Sequence, residues 1–170
     1  MKIKNFHIFI SILCISINIG CGVYGFRGNN PPEGVKSLNI PLFEDVSGFS
    51  EAGIRESFTE TLKNLIVNDN TFLLVDRTIA DGSVTGTIKR ISDDPLVISG
   101  NETVTKRKIT IDVEINFQNL KKQRLIWNRT YSDWGEYNSD NTGFSNRDAG
   151  IREATNKICN NILNDLTSNW

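Results

Sequence analysis

The sequence predicts an α+β fold, a two-layer sandwich in which two helices cover one face of a mostly antiparallel sheet. Three observations carry that expectation. In "KITIDVEINF", Ile109, Ile111, Val113, Ile115 and Phe117 alternate with Thr110, Asp112, Glu114 and Asn116, so a sheet has one apolar face and one wet face. Two other stretches repeat with helical period: Ile54, Phe58, Leu62, Leu65 and Ile66, and later Ile151, Ala154, Ile158, Ile162 and Leu166. Turn-forming residues divide the chain into the order β-α-β-β-β-β-α. One apolar sheet face and two amphipathic helices close economically into two layers.

The elements follow in order. Gly22, Gly25, Gly28, Asn29, Asn30, Pro31, Pro32 and Gly34 make residues 21–34 a linker. Tyr24 and Phe26 stand out in it as aromatic. Val35 to Ile40 is the first strand, stopped by Pro41. Ser50 is placed to cap a helix whose polar side carries Arg55, Glu56, Glu60 and Lys63, and Asn68-Asp69-Asn70 ends it. "TFLLVD" reads as a short buried strand, Asp81-Gly82 as a turn, and Ser83 to Ile91 as a third strand. "SDDPLVISGNE" reads as a loop before the strand at 109–117. "NLKKQR" is a hairpin tip, and "LIWNRTYSDW" returns as a fifth strand. Trp127, Arg129 and Tyr131 leave its inward face open. The last helix starts near Ser145, with Asp148 as a capping-box partner.

Ahead of the domain, Lys2 and Lys4 precede an uncharged run from Phe6 to Ile19. As a helix it reaches roughly 20 Å at about 1.5 Å per residue, short of a hydrocarbon core of about 30 Å. A secretory signal's apolar region fits better. Gly20-Cys21 resembles the end of a bacterial lipobox, although Asn18 and Ile19 stand where the usual pattern has Leu and a small residue. That resemblance implies cleavage before Cys21 and acylation of its thiol, with several acyl chains holding the domain stably to a membrane. Gly22, with no acidic residue in the next several positions, implies the periplasmic face of an outer membrane. The organisation expected is a signal at 1–20, an acylated terminus and linker at 21–34, and one domain at 35–170.

Composition narrows the chemistry. The 19 basic residues less Lys2 and Lys4 leave 17 against 20 acids, a formal charge of −3 that gives no footprint for nucleic acid. The single histidine, His7, lies in the signal, which removes the commonest general base and metal ligand from the mature domain. Cys159 has no partner once Cys21 is acylated, and its apolar helix position suits a buried thiol. Gly82 and Gly86 carry no phosphate-loop pattern. Glu44-Asp45 and Asp93-Asp94 are the remaining carboxylate pairs, and both sit in turn-rich sequence where acids form turns and caps.

Taken together, "CGVYGFRG", "VKSLNIPLF", "SFTETLKN", "FLLVD", "GNETVTKRKITIDVEINF" and a helix ending near Trp170 resemble the LptE lipoproteins of lipopolysaccharide assembly, in their Bacteroidetes-like form. The resemblance implies a non-enzymatic outer-membrane lipoprotein without cofactor or metal. It also implies an LptD-like β-barrel as partner, lipopolysaccharide as a possible ligand, and a position facing the periplasm or the barrel lumen. Lipid phosphates favour Lys and Arg, so the candidate contacts are Lys106 and Lys108, and Lys121, Lys122 and Arg124, with a charge-solubilised hairpin as the simpler reading. On strand parity, Lys106 and Lys108 share the wet face with Thr110, and the second cluster lies at the opposite end of the same strand. Two further classes stay open: an adaptor or pilot for another outer-membrane machine, and a carboxylate enzyme acting on envelope polymers.

Overall fold

The computed structural model describes residues 31–99, 103–138 and 144–168. The signal at 1–20, Cys21, Tyr24 and Phe26 lie outside the described residues. The strands are β1 (Ser37–Asn39), β2 (Glu44–Asp45), β3 (Leu73–Leu74), β4 (Gly82–Ser99), β5 (Thr103–Asn119) and β6 (Arg124–Asn138). The helices are α1 (Ile54–Asp69) and α2 (Phe144–Thr167). The expected order is therefore present, with the two-residue β2 added between β1 and α1.

The sheet runs β3-β1-β4-β5-β6, with β2 also paired to β4. β4, β5 and β6 form antiparallel ladders, whereas β1 and β2 lie parallel to β4 one after the other along the side away from β5, with β3 outside β1. Ile109, Ile111, Val113, Ile115 and Phe117 are all fully buried beneath the helices, as the alternation predicts. Ile54, Phe58, Leu62 and Ile66 of α1 and the five apolar residues of the α2 stripe are buried against them. The Cys159 thiol is buried at the α1–α2 contact, 3.8 Å from the Phe58 carbonyl oxygen, and burial pushes its pKa up.

Glycine decides two of the closest contacts. A Cβ on Gly86 would lie 2.2 Å from the Phe43 ring, which fills that space and stacks on Phe58 at 5.3 Å. The Gly82–Gly86 spacing thus serves the core. A Cβ on Gly135 would lie 2.1 Å from the Gly150 carbonyl oxygen, so α2 crosses β6 with backbone nearly on backbone.

Three local expectations need correction. Ser50 does not cap α1: the helix begins after Gly53, whose φ of 78° is left-handed and which provides no side-chain cap. Glycine enters that conformation at little steric cost. At the other end Asn70, also left-handed, terminates α1 and donates its N–H to the Ile66 carbonyl. Residue 145 falls inside α2, and the Ser145 side chain lies outside the described residues. The largest difference is "SDDPLVISGNE". It is mostly strand, because β4 runs on to Ser99 and pairs with β5 as far as Thr103. Pro95 is accommodated where β4 has β5 on one side only and the register shifts between Pro95 and Val97. β6 ends opposite Lys106, so the distal part of this hairpin is two strands wide.

Candidate interaction surfaces

The wet face of the sheet is an internally paired polar surface. Lys89 meets Glu114 at 3.4 Å, Arg90 meets Asp112 at 2.8 Å, and Ser132 donates to Asp112 at 2.6 Å. The Asn128 amide donates to Glu114 at 2.7 Å and to Asn116 at 2.6 Å. The Asn128 hydrogen bond, followed by Lys89, holds the Glu114 carboxyl below its usual range. Nearly every charge along the middle strands has an opposite partner across the ladder, the arrangement that favours one register.

The two basic clusters separate as expected. Lys106 and Lys108 stand on the wet face of β5, and Lys121, Lys122 and Arg124 at the β5–β6 tip, roughly 40 Å away at about 3.3 Å per residue. Each cluster holds one lysine in an ion pair. Lys106 is tied to Glu136 at 3.0 Å, and Lys108 faces Asp94 across the ladder. At the tip, Lys121 pairs with Asp81, while neither Lys122 nor Arg124 has an ion-pair partner among the described residues.

Asp81 is the polar anchor that the sequence disguises as an ordinary turn residue. Its carboxylate accepts from the backbone N–H groups of Lys36 at 2.9 Å and Ser37 at 3.0 Å, and from Lys121. The Lys121 hydrogen bond is the largest cause holding its pKa far below the usual carboxylate range, with the Lys36 N–H next. One side chain therefore joins β1, β4 and the hairpin tip.

The carboxylate pairs do not converge. Asp45 accepts from the Ser47 N–H at 2.8 Å as a turn-former. Asp93 and Asp94 lie in strand β4, not in a turn. Asp93 faces the helices, where Arg107 bonds it at 2.7 Å, Tyr137 donates to it at 2.7 Å, and Arg147 stands 3.3 Å away. Asp94 faces the other way and accepts from Ser92 at 3.0 Å. Asp45 is opposite Ile88, which leaves roughly 15 Å of strand between it and Asp93. Among the described residues no cluster of His, Cys, Asp and Glu is arranged to hold a metal.

The open question of the fifth strand is resolved by α2. Trp127 and Tyr131 face the helix layer, and Arg129 lies between them on that side. Arg129 reaches Asp165 at 2.6 Å and covers the Trp127 ring at 5.2 Å, and the Tyr131 hydroxyl donates to the same Asp165 at 2.7 Å. Sequence reading missed the Asp93–Arg107–Tyr137 and Asp165 clusters because the first needs residues from three strands and the second joins β6 to α2. Their only local signal was a charge at an inward strand position.

Solved structures share this architecture. A hypothetical protein, CT253, from Chlamydia trachomatis aligns with a TM-score of 0.56 at 8% identity, covering 77% of this chain and 95% of its own. The PelC dodecamer of Paraburkholderia phytofirmans gives 0.55 at 9% identity, with 83% and 94% covered. Rare lipoprotein B from Shewanella oneidensis gives 0.52 at 10%, with 76% and 92% covered. At such identities the likeness is one of fold. No curated protein sequence matches the chain closely. The family model described as LptE, lipopolysaccharide-assembly, matches residues 35–166, which takes in both layers of the sandwich. The chain belongs to the LptE family, a non-enzymatic family of lipopolysaccharide assembly.

Proposed function

We propose that this protein is an outer-membrane lipoprotein, tethered through an acylated Cys21, whose body is the assembly partner and plug of an LptD-like β-barrel that places lipopolysaccharide at the cell surface. The family match over residues 35–166 is the observation that carries this reading. The geometry is compatible with it. Five strands side by side at about 4.8 Å make a body roughly 20 Å wide under one helix layer, and barrels of about 22 strands hold a plugged lumen. Among the described residues the wet face offers dense polar pairing.

Within this reading, Lys106 and Lys108 on the wet face meet lipopolysaccharide phosphate. The Lys106–Glu136 pair is exposed and costs little to exchange for a phosphate contact. A detergent pull-down of tagged protein from its own membranes, with mass spectrometry of partners and of the N-terminal peptide, tests the whole. An LptD-like barrel together with acylated Cys21 is expected. A different barrel moves the protein to the adaptor class, and an unmodified Cys21 removes the anchor. Lipopolysaccharide binding unchanged in K106Q/K108Q would remove that contact.

A further inference from the structure

We infer that the β5–β6 tip is a membrane-docking surface for anionic phospholipid headgroups of the bilayer that holds the anchor. The inference rests on the lipid-anchored reading above and adds a specific contact to it. It begins from where the chain enters the body. Pro32 is buried, the Val35 N–H donates to its carbonyl at 3.0 Å, and Pro31 and Glu33 line a concavity shared with Asn119, Lys122, Arg124 and Ile126. The linker therefore leaves the body beside the tip. Ten residue steps from Cys21 to Pro31, each at most about 3.5 Å, keep the tip within roughly 35 Å of the anchored cysteine.

Charge at this end is locally positive, with Lys122, Arg124 and Arg77 set against Glu33 in the concavity and Asp76 in the neighbouring turn. The mature chain is formally −3 by composition, yet Lys122 and Arg124 carry positive charge with no ion-pair partner among the described residues. The neighbouring β3–β4 turn, joined to the tip by the Leu120 N–H bond to the Asp81 carbonyl at 2.8 Å, adds the exposed Arg77. Two large apolar side chains are exposed in the same two segments: Leu125, next to Arg124 in β6, is 53% exposed, and Ile79, in the β3–β4 turn, is 69% exposed. Cations accompanied by exposed apolar groups suit a headgroup layer, where phosphates meet Lys and Arg and aliphatic side chains enter the acyl boundary. At the other end of the strand Lys106 is paired with Glu136, and Lys108 stands opposite Asp94.

The test uses the mature chain carrying Cys21→Ser, so that binding is read without the anchor. Co-sedimentation with vesicles of phosphatidylcholine alone, and of phosphatidylcholine with phosphatidylglycerol, measures the headgroup contribution. Binding is expected only with phosphatidylglycerol and is expected to fall with salt. Each basic residue near an anionic surface contributes about 5-fold, so K122Q/R124Q should weaken binding roughly 25-fold. R55Q/R152Q, which removes two exposed cations from the helix layer, should leave it unchanged. Lys121 is left in place because it holds Asp81, and equal thermal midpoints check that the variants fold. Equal binding to both vesicle types, an unaffected K122Q/R124Q, or equal loss in R55Q/R152Q would overturn the inference. So would binding that appears only when lipopolysaccharide is added to the vesicles. Because the anchor is absent here, failure of the docking surface and failure of the acylation reading are separate results.

Discussion

Replacing Asp81 with Asn isolates one charge while nearly preserving shape. The Asp81 side chain is 11% exposed, and its carboxylate accepts two backbone N–H bonds, from Lys36 and Ser37, in addition to the Lys121 ammonium. Hydrogen bonds to a charged group contribute about 1.5–3 kcal/mol each, against about 0.5–1.5 for neutral ones. An Asn oxygen keeps the two backbone donors but loses about 1 kcal/mol on each. Its amide then faces the Lys121 ammonium, which removes an ion pair whose lysine is largely in solvent and so contributes about 1 kcal/mol or less. The sum is about 2–3 kcal/mol at neutral pH, read as a lower urea midpoint. The sign of the pH dependence follows from the depressed folded-state pKa. The unfolded carboxyl takes up a proton near pH ~3.9 while the folded one stays ionised. The stabilisation is thus complete above that pH and falls below it by up to about 1.4 kcal/mol per pH unit. The wild-type advantage over D81N should therefore shrink as pH drops below about 4. A difference under about 0.5 kcal/mol at neutral pH, the size of an ordinary surface change, would refute the assignment. So would a gap that stays constant on acidification.

Three further outcomes follow from packing. Gly135→Ala places a Cβ 2.1 Å from the Gly150 carbonyl oxygen, and forcing α2 off β6 should cost about 1–3 kcal/mol in chemical denaturation; a neutral variant would mean that the helix has slack at the crossing. Gly86→Ala meets the Phe43 ring at 2.2 Å and should destabilise by a similar amount, about 1–3 kcal/mol. Combining it with Phe43→Leu should be less than additive, and strictly additive losses would show that the two residues do not share the space. Cys159 is fully buried with its thiol pKa pushed up, so a thiol reagent should label it only after unfolding; rapid labelling of the native protein would contradict its placement between the helices.

The parts of this fold that rest on periodicity were legible. The Ile109–Phe117 alternation and the α2 stripe each repeat over several turns or pleats, and every apolar position in both is buried. What escaped was structure created by pairing. "SDDPLVISGNE" has two acids and a proline that locally favour a turn. Yet Ser92 to Ser99 are held extended by the ladder to Thr103–Thr110. Asp93 is inward-facing for the same reason: Arg107 and Tyr137 reach it only once β5 and β6 are in register. The Lys121–Arg124 tip was visible as a charged turn, but its nearness to Pro31 depends on β1 pairing with the start of β4 and the start of β4 with the end of β5. Ser50 shows the converse. A good capping residue stands ahead of an amphipathic stretch, and a left-handed Gly53 three residues later sets the helix start instead.

β6 is a 15-residue strand at the border of the sheet, and a border that long is a template for another strand. That hazard is greatest for a protein proposed to sit within a β-barrel. The chain meets it with side chains of α2. Lys157 donates to the Trp134 carbonyl at 2.8 Å, and Glu153 accepts the Glu136 N–H at 3.1 Å, so two ladder positions on the outer border are occupied from within. The Glu153–Lys157 pair at 2.8 Å fixes both side chains one helical turn apart, and the ammonium stands 4.7 Å from the Trp134 ring centroid. Farther along, Arg129 is pinned to Asp165 and keeps a charge at the border. The helix that completes the core thus also closes part of the sheet to strand addition. In the assembly proposed above, barrel contacts would then fall to side chains of the wet face, and a closed barrel would keep its own strand pairing.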